Sequence, residues 1–227
     1  MRFAGFGPQA LPFFKGLAFH QTKEWFEANR ATYESDVKTP LGDLIEELSA
    51  AFAKAGIPLR GDRKASLFRL NRDVRFSKDK SLYKTHAGAV MTRSGAKDDN
   101  GLLYIHISPE GCFSAAGFYH CEPKDLLCYR QSIARAPKDW KRLAAGLRKK
   151  GLEMSDEESL QRLPRGFEAV DDPEIAAAVK QKSYICRRPI DAARIGSPGL
   201  IKDLLVFARD AAPLLEWGWA AAIDERL

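Results

Sequence analysis

The chain reads as an α+β fold, in which an antiparallel sheet with a central meander packs against flanking N-terminal and C-terminal helices. Three observations predict it. The first third carries apolar residues at helical spacing between capping signals; from Leu67 to Phe118 the pattern changes to period two; and helix-length segments opened by proline return from Pro123 onward. Consecutive strands bracketed by blocks of helix point to α+β, because a parallel sheet would alternate strand with helix.

Residues 11–19 give a short apolar turn or helix. Thr22 offers an N-cap hydroxyl to a helix that carries Trp25, Phe26 and Tyr33, and Thr39 followed by Pro40 is a cap-then-proline start for a third helix. That helix aligns Leu41, Leu44, Ile45, Leu48 and Phe52 on one face and stops at Gly56. Four strands follow, over residues 67–70, 86–92, 102–108 and 112–118. Turn residues at 93–101 and at Pro109-Glu110-Gly111 make the last three an antiparallel meander. Helices over 123–134 and 137–150, the second ended by Gly151, precede one opened by Asp172-Pro173 that runs through Val179. A strand at 183–186 leads to two closing helices, one from Ser197-Pro198 through Phe207 and one from Pro213 through Ile223. The aromatic residues Trp25, Phe26, Tyr33, Trp217 and Trp219 have helical spacing or amphipathic context and are expected in the core.

With 227 residues the chain is expected to form one domain that buries roughly 70% of the surface its unfolded form exposes. No stretch approaches the ~20 apolar residues that span a bilayer, so no membrane partner is expected. The opening run is broken by Pro8 and Pro12 and lacks a small-residue cleavage pattern, which reads as mature structure. Cys112, Cys121, Cys128 and Cys186 include no C-x-x-C pair, and a chain of this length does not need disulfides. Reduced thiols and a cytoplasmic location are expected.

The net charge is +6, and its placement matters more than its size. Residues 60–93 hold ten basic side chains against three acidic ones, a net +7, while the rest of the chain, with 26 basic and 27 acidic residues, carries −1. A local excess of this kind attracts anions better than the same charge spread evenly. Its densest part, residues 69–85, places three arginines three apart among Asp73, Asp79 and the lysines Lys78, Lys80 and Lys84. These charges cannot all be buried, since an unpaired buried charge costs several kcal/mol. One reading is a solvated loop of surface ion pairs worth ~0–1 kcal/mol each. The other is a set of guanidinium forks, oriented by aspartates, with donors spare for phosphate or carboxylate.

The run R-x-x-R-D-x-R-F-x-K-D-K-x-x-Y-K-T from Arg69 to Thr85 also resembles the hallmark of a widespread, mostly bacterial family, domain-of-unknown-function family 2461. Other stretches are similar to it: Trp25-Phe26-Glu27-Ala28-Asn29-Arg30 with Tyr33-Glu34, Tyr104 with His106, the small-residue strand ending Ala116-Gly117, and Leu163-Pro164-Arg165-Gly166-Phe167. The resemblance covers nearly the whole chain and brings no established activity with it. Asn71 stands where an aromatic is frequent in the family, and Ser114-Ala115-Ala116-Gly117 varies a more glycine-rich run.

Other chemistry is less marked. His86 and His106 fall on neighbouring strands, and strand alternation puts Tyr104 and His106 on one face. The spacing of His120, Cys121 and Cys128 matches none of the usual zinc patterns, so no metal site is assigned. Phosphate-binding glycine loops and a nucleophile elbow are absent.

The expected function is binding of a phosphorylated or carboxylated small molecule, by an enzyme or a sensor. Arg69, Arg72, Arg75, Lys78, Lys80 and Lys84 are the anion-binding candidates; Asp73 and Asp79 orient them; Asp73, Tyr83 or His106 supplies proton transfer. No cofactor is identified. The same segment, interleaved with Phe68, Phe76 and Tyr83, supports nucleic-acid binding as the alternative, and docking of an acidic partner protein as a third reading.

Overall fold

The structure, a computed structural model, describes residues 2–73, 80–155 and 158–224. It has the α+β architecture expected. Helices α1 (Ala10–Phe19), α2 (Lys23–Ala28), α3 (Arg30–Thr32) and α4 (Thr39–Ala55) come first, then strands β1 (Ala87–Thr92), β2 (Leu102–Ile107) and β3 (Cys112–Phe118). Helices α5 (Pro123–Arg135) and α6 (Pro137–Lys149) lead to a two-residue strand β4 (Glu153–Met154), helix α7 (Pro173–Lys180), strand β5 (Tyr184–Ile190), and helices α8 (Ala192–Ile195) and α9 (Leu200–Asp224). The strands form one antiparallel sheet in the order β1-β2-β3-β5-β4. The meander is therefore present, and β5 joins it beyond β3.

The N-terminal helices show how local chemistry sets the chain path. Thr22 caps α2 as expected, its Oγ1 accepting from the Trp25 N–H at 3.2 Å. Thr39 does not cap a new helix. The backbone is helical on both sides of it, because a π-helical turn at Tyr33–Lys38 runs directly into α4. Pro40 explains the turn: a proline in a helix has no N–H for the carbonyl four residues back and crowds it, so the preceding turn widens. The carbonyl left over is that of Asp36, and it accepts the Gly7 N–H at 3.0 Å. From there α4 buries Leu41, Leu44, Ile45, Leu48 and Phe52 and ends at Gly56 in the left-handed conformation.

Two further expectations are corrected. Residues 67–70 are not a regular strand; this segment meets β1 and its approach only through single bridges, Leu67 with Ala89 and Asn71 with Tyr83. The final two helices are one, α9, with Pro213 inside it. Pro213 is exposed while its neighbours Ala211, Leu214 and Leu215 are buried, so apolar burial on both sides outweighs the ~3 kcal/mol a mid-helix proline costs. Strand β4 and helix α8 had no visible signal at their lengths.

The chain divides into two compact units. The first comprises Met1–Asp99, Tyr104–Ser114 and Pro189–Val206. In it α4 lies against β1, and Phe14, Leu17, Val37, Leu44, Ile45 and Phe52 are fully enclosed. The second comprises Asn100–Leu103, Ala115–Arg188 and Phe207–Leu227. Its core is aromatic: Tyr129, Trp140, Tyr184 and Trp217 meet with ring centroids 4.8–5.7 Å apart, mostly edge-on or tilted. Asp172 caps α7 there, accepting from the Glu174 and Ile175 N–H groups at 3.0 and 3.3 Å. Among the described residues no helix is long and apolar enough to cross a membrane, and all four cysteines are free thiols.

Candidate functional site

The basic segment lies wholly in the first unit, where a bulge shapes it. Residues 66–72 run antiparallel to residues 82–90: Arg72 N–H donates to the Leu82 carbonyl, Lys84 N–H to Leu70, Phe68 N–H to Gly88 and Val90 N–H to Ser66, at 2.9–3.1 Å. Between the bonds at Leu70 and Phe68 only Arg69 intervenes on one side, whereas Thr85, His86 and Ala87 intervene on the other. Two extra residues therefore sit on that side as a bulge, and the ladder breaks into isolated bridges. Bulges of this kind re-aim side chains beside functional sites. Leu70 and Tyr83 point into the core, while Phe68, Arg69 and Lys84 reach the surface or its edge.

These residues open onto a cleft of about 530 Å³ lined by six cationic side chains, those of Lys38, Arg63, Lys64, Arg69, Lys84 and Lys97, with Tyr33, Leu67 and Phe68 completing it. Among the described residues no carboxylate lines it. Part of this charge is already matched. Arg63 holds both Glu46 oxygens at 2.6 Å and Asp43 at 2.8 Å, Lys38 pairs with Glu34 at 2.9 Å, and Arg69 stands 3.8 Å from Asp73. Asp62 spends its carboxylate on the Lys64 and Ala65 N–H groups, at 2.6 and 2.8 Å.

Lys84 and Lys97 are different. Among the described residues no carboxylate lies within 4 Å of either ammonium; instead both stand over the ring of Phe68, at 5.4 and 5.2 Å from its centroid. Lys97 also donates to the Leu67 carbonyl. Partial burial pushes the Lys84 ammonium below its ordinary pKa, and the like charges of Arg69, Arg72 and Lys97 push it further the same way. Tyr33, packed against Phe13 and Phe26, has its hydroxyl pushed up to about 12 by burial and by Glu34. It therefore enters the cleft as a neutral donor.

Beside the cleft, the sheet carries a half-buried aromatic group. The rings of His86 and His106 are 4.4 Å apart, His106 stacks on Phe113 at 4.6 Å, and the Tyr104 hydroxyl and His106 Nδ1 are hydrogen bonded at 3.2 Å. Tyr104 in turn meets Phe68 edge-on at 6.0 Å. Burial holds the His86 imidazole below its ordinary pKa; Lys84 and Arg72 add to this, and Glu110 opposes it. A histidine whose pKa is lower folded than unfolded contributes no penalty above pH ~6.5 and destabilises the fold as pH falls through and below that value. We expect urea midpoints to drop between pH 7.5 and 5.5, and His86→Gln to flatten that drop; superimposable slopes would assign it elsewhere.

The structure thus brings Arg69 and Lys84 into one cleft, sets Arg72 close enough to affect Lys84 and His86, and pairs Asp73 with Arg69. Lys80 is exposed and does not line the cleft. Tyr83 is only 5% exposed, its ring stacked on Phe26 at 4.9 Å, and His106 belongs to the aromatic group on the sheet. Arg75, Lys78 and Asp79 lie outside the described residues. Lys38, Lys97 and Tyr33 were not foreseen at the site. Lys97 comes from the β1–β2 loop, whose charges balance, and Lys38 from the π turn, and no local pattern marks either as a partner of the basic run.

Compared with known proteins, the chain matches the model of a family described as "Conserved hypothetical protein (DUF2461)" over residues 9–217. No curated protein and no solved structure matches it.

Proposed function

We propose, for a chain that belongs to the DUF2461 family, that the cleft is the binding site of a phosphorylated or carboxylated small molecule. Lys84 and Arg69 are its principal clamps, Lys97 and Lys64 add charge, Asp73 orients Arg69, and Tyr33 donates a hydroxyl. The observation that carries this reading is Lys84. Its ammonium is partly desolvated beside the like charges of Arg69, Arg72 and Lys97, and no carboxylate of a described residue lies within 4 Å of it. Such an arrangement works against the fold unless an anion occupies it, and perturbed cations gathered in a cleft mark functional sites. The cleft volume also falls in the range of small-molecule sites. Four free thiols, two of them buried, support the cytoplasm as the compartment.

The test is thermal unfolding at low salt with inorganic phosphate, pyrophosphate and citrate. At a hundredfold excess over Kd a ligand confined to the folded state adds about 2.7 kcal/mol, which for a chain of this size raises Tm by about 5–10 °C. No shift with any of the three would remove the proposal.

A further inference from the structure

Resting on that reading, we infer that the ligand is a nucleoside phosphate, whose base stacks on Phe68 while its phosphates displace the ammonium groups of Lys84 and Lys97 from the ring. A simple inorganic anion would leave one feature of the cleft without a role. Phe68 is 38% exposed in the midst of cations, so part of its ring stays open to the cleft.

The ring is not loosely placed. The Phe68 N–H is bonded to the Gly88 carbonyl, and its edge rests against Tyr104. Tyr104 itself lies flat across β1 because residue 88 has no side chain: a Cβ there would come within 2.5 Å of the Tyr104 hydroxyl oxygen. Gly88 therefore lets Tyr104 lie down, Tyr104 braces Phe68, and Phe68 presents a fixed aromatic surface inside a charged cleft.

The two ammonium groups sit at 5.4 and 5.2 Å from the ring centroid, toward the outer limit of about 6 Å for cation–π attraction. Such contacts are weak and exposed, so a phosphate outcompetes them. Every base has a π-face for such a ring. Because, among the described residues, the cations of the cleft converge on one exposed ring, one nucleotide fits it better than a strand, which needs a succession of rings along a basic track.

Calorimetric titration of the full chain with adenosine triphosphate, inorganic tripolyphosphate and an adenosine RNA octamer decides the matter. The nucleotide is expected to bind on the order of tenfold or more tighter than tripolyphosphate, the gain that one base–aromatic stack gives. Phe68→Leu should erase that preference while leaving tripolyphosphate affinity within about twofold, and Phe68→Trp should keep it. Equal affinities in the wild-type chain, or a preference that survives Phe68→Leu, would overturn the stacking inference while the anion site stands. An octamer that binds more than about tenfold tighter than the nucleotide would overturn it in favour of nucleic acid. Absence of binding by all three would overturn both this inference and the anion site beneath it.

Discussion

Gly117→Ala is expected to destabilise the protein by about 3–5 kcal/mol, enough to abolish folding of a marginally stable chain. Gly117 lies on β3 with φ +135°, a region that residues with a side chain rarely enter. A Cβ there would fall 1.9 Å from the Tyr184 carbonyl oxygen and 3.0–3.1 Å from the backbone of Tyr184 and Ile185 on β5. Both obstacles are main chain in the middle of the sheet, so neither can rotate away as a side chain would. The backbone conformation alone accounts for about 1–3 kcal/mol, and the remainder comes from prising β5 off β3. Gly111→Ala is the matched control. It too has a positive φ, +149°, yet nothing lies within 4 Å of its added methyl group, so only the conformational part, about 1–3 kcal/mol, should appear. Urea denaturation followed by circular dichroism separates the two, and equal losses would show that β5 yields to the added methyl group without cost.

The same residue shows what a sequence can and cannot disclose. Ala115-Ala116-Gly117 reads as a small-residue strand without disclosing that β5 approaches it so closely, whereas the meander is legible because β2 alternates buried and half-buried side chains at every step. Strand β1 is buried at every position and shows no such alternation. Residues 67–70 carry the same alternation as a strand, but alternation reports which side chains are buried and not whether the partner ladder is continuous; the bulge at Thr85, His86 and Ala87 is a property of the pairing. Pro213 misleads for a related reason, since proline is a helix-start signal only where the preceding residues are not already held in a helix by their own burial.

For the site, the basic run named Arg69 and Lys84 because charge density is a local property of sequence. Lys97 and Lys38 come from segments with no such density, 13 and 46 residues from Lys84 along the chain, and reach it only through the loop and the π turn. Nor could the run predict that Arg63 is spent on Asp43 and Glu46, whose positions on α4 bring two carboxylates to one guanidinium. The sign of the surface was legible; which of its charges are already paired with carboxylates was not.

The largest functional effect is expected at Lys84. Lys84→Glu replaces the cation with an anion among Arg69, Arg72 and Lys97, and pyrophosphate affinity should fall by at least about a hundredfold. A single charge contact near a protein surface is worth on the order of 1–4 kcal/mol between the dielectric limits of water and a partly excluded cleft, and this substitution reverses one. Lys84→Met is the more telling variant because it keeps the apolar stem beside Phe68 and removes only the charge. Its affinity should fall about tenfold, and its stability should not fall with it. An ammonium whose pKa is lowered by burial and by neighbouring cations opposes folding wherever it is charged, so wild-type stability should climb as pH rises from the lowered folded value toward ~10.5. Lys84→Met should lack that climb and match or exceed the wild-type melting temperature at neutral pH. A lysine kept for structure gives the opposite pair of results, lost stability with unchanged anion affinity, and that outcome would end the case for the cleft. Weaker binding together with an equal or higher melting temperature is the pattern of a side chain retained for its ligand at the expense of its own fold.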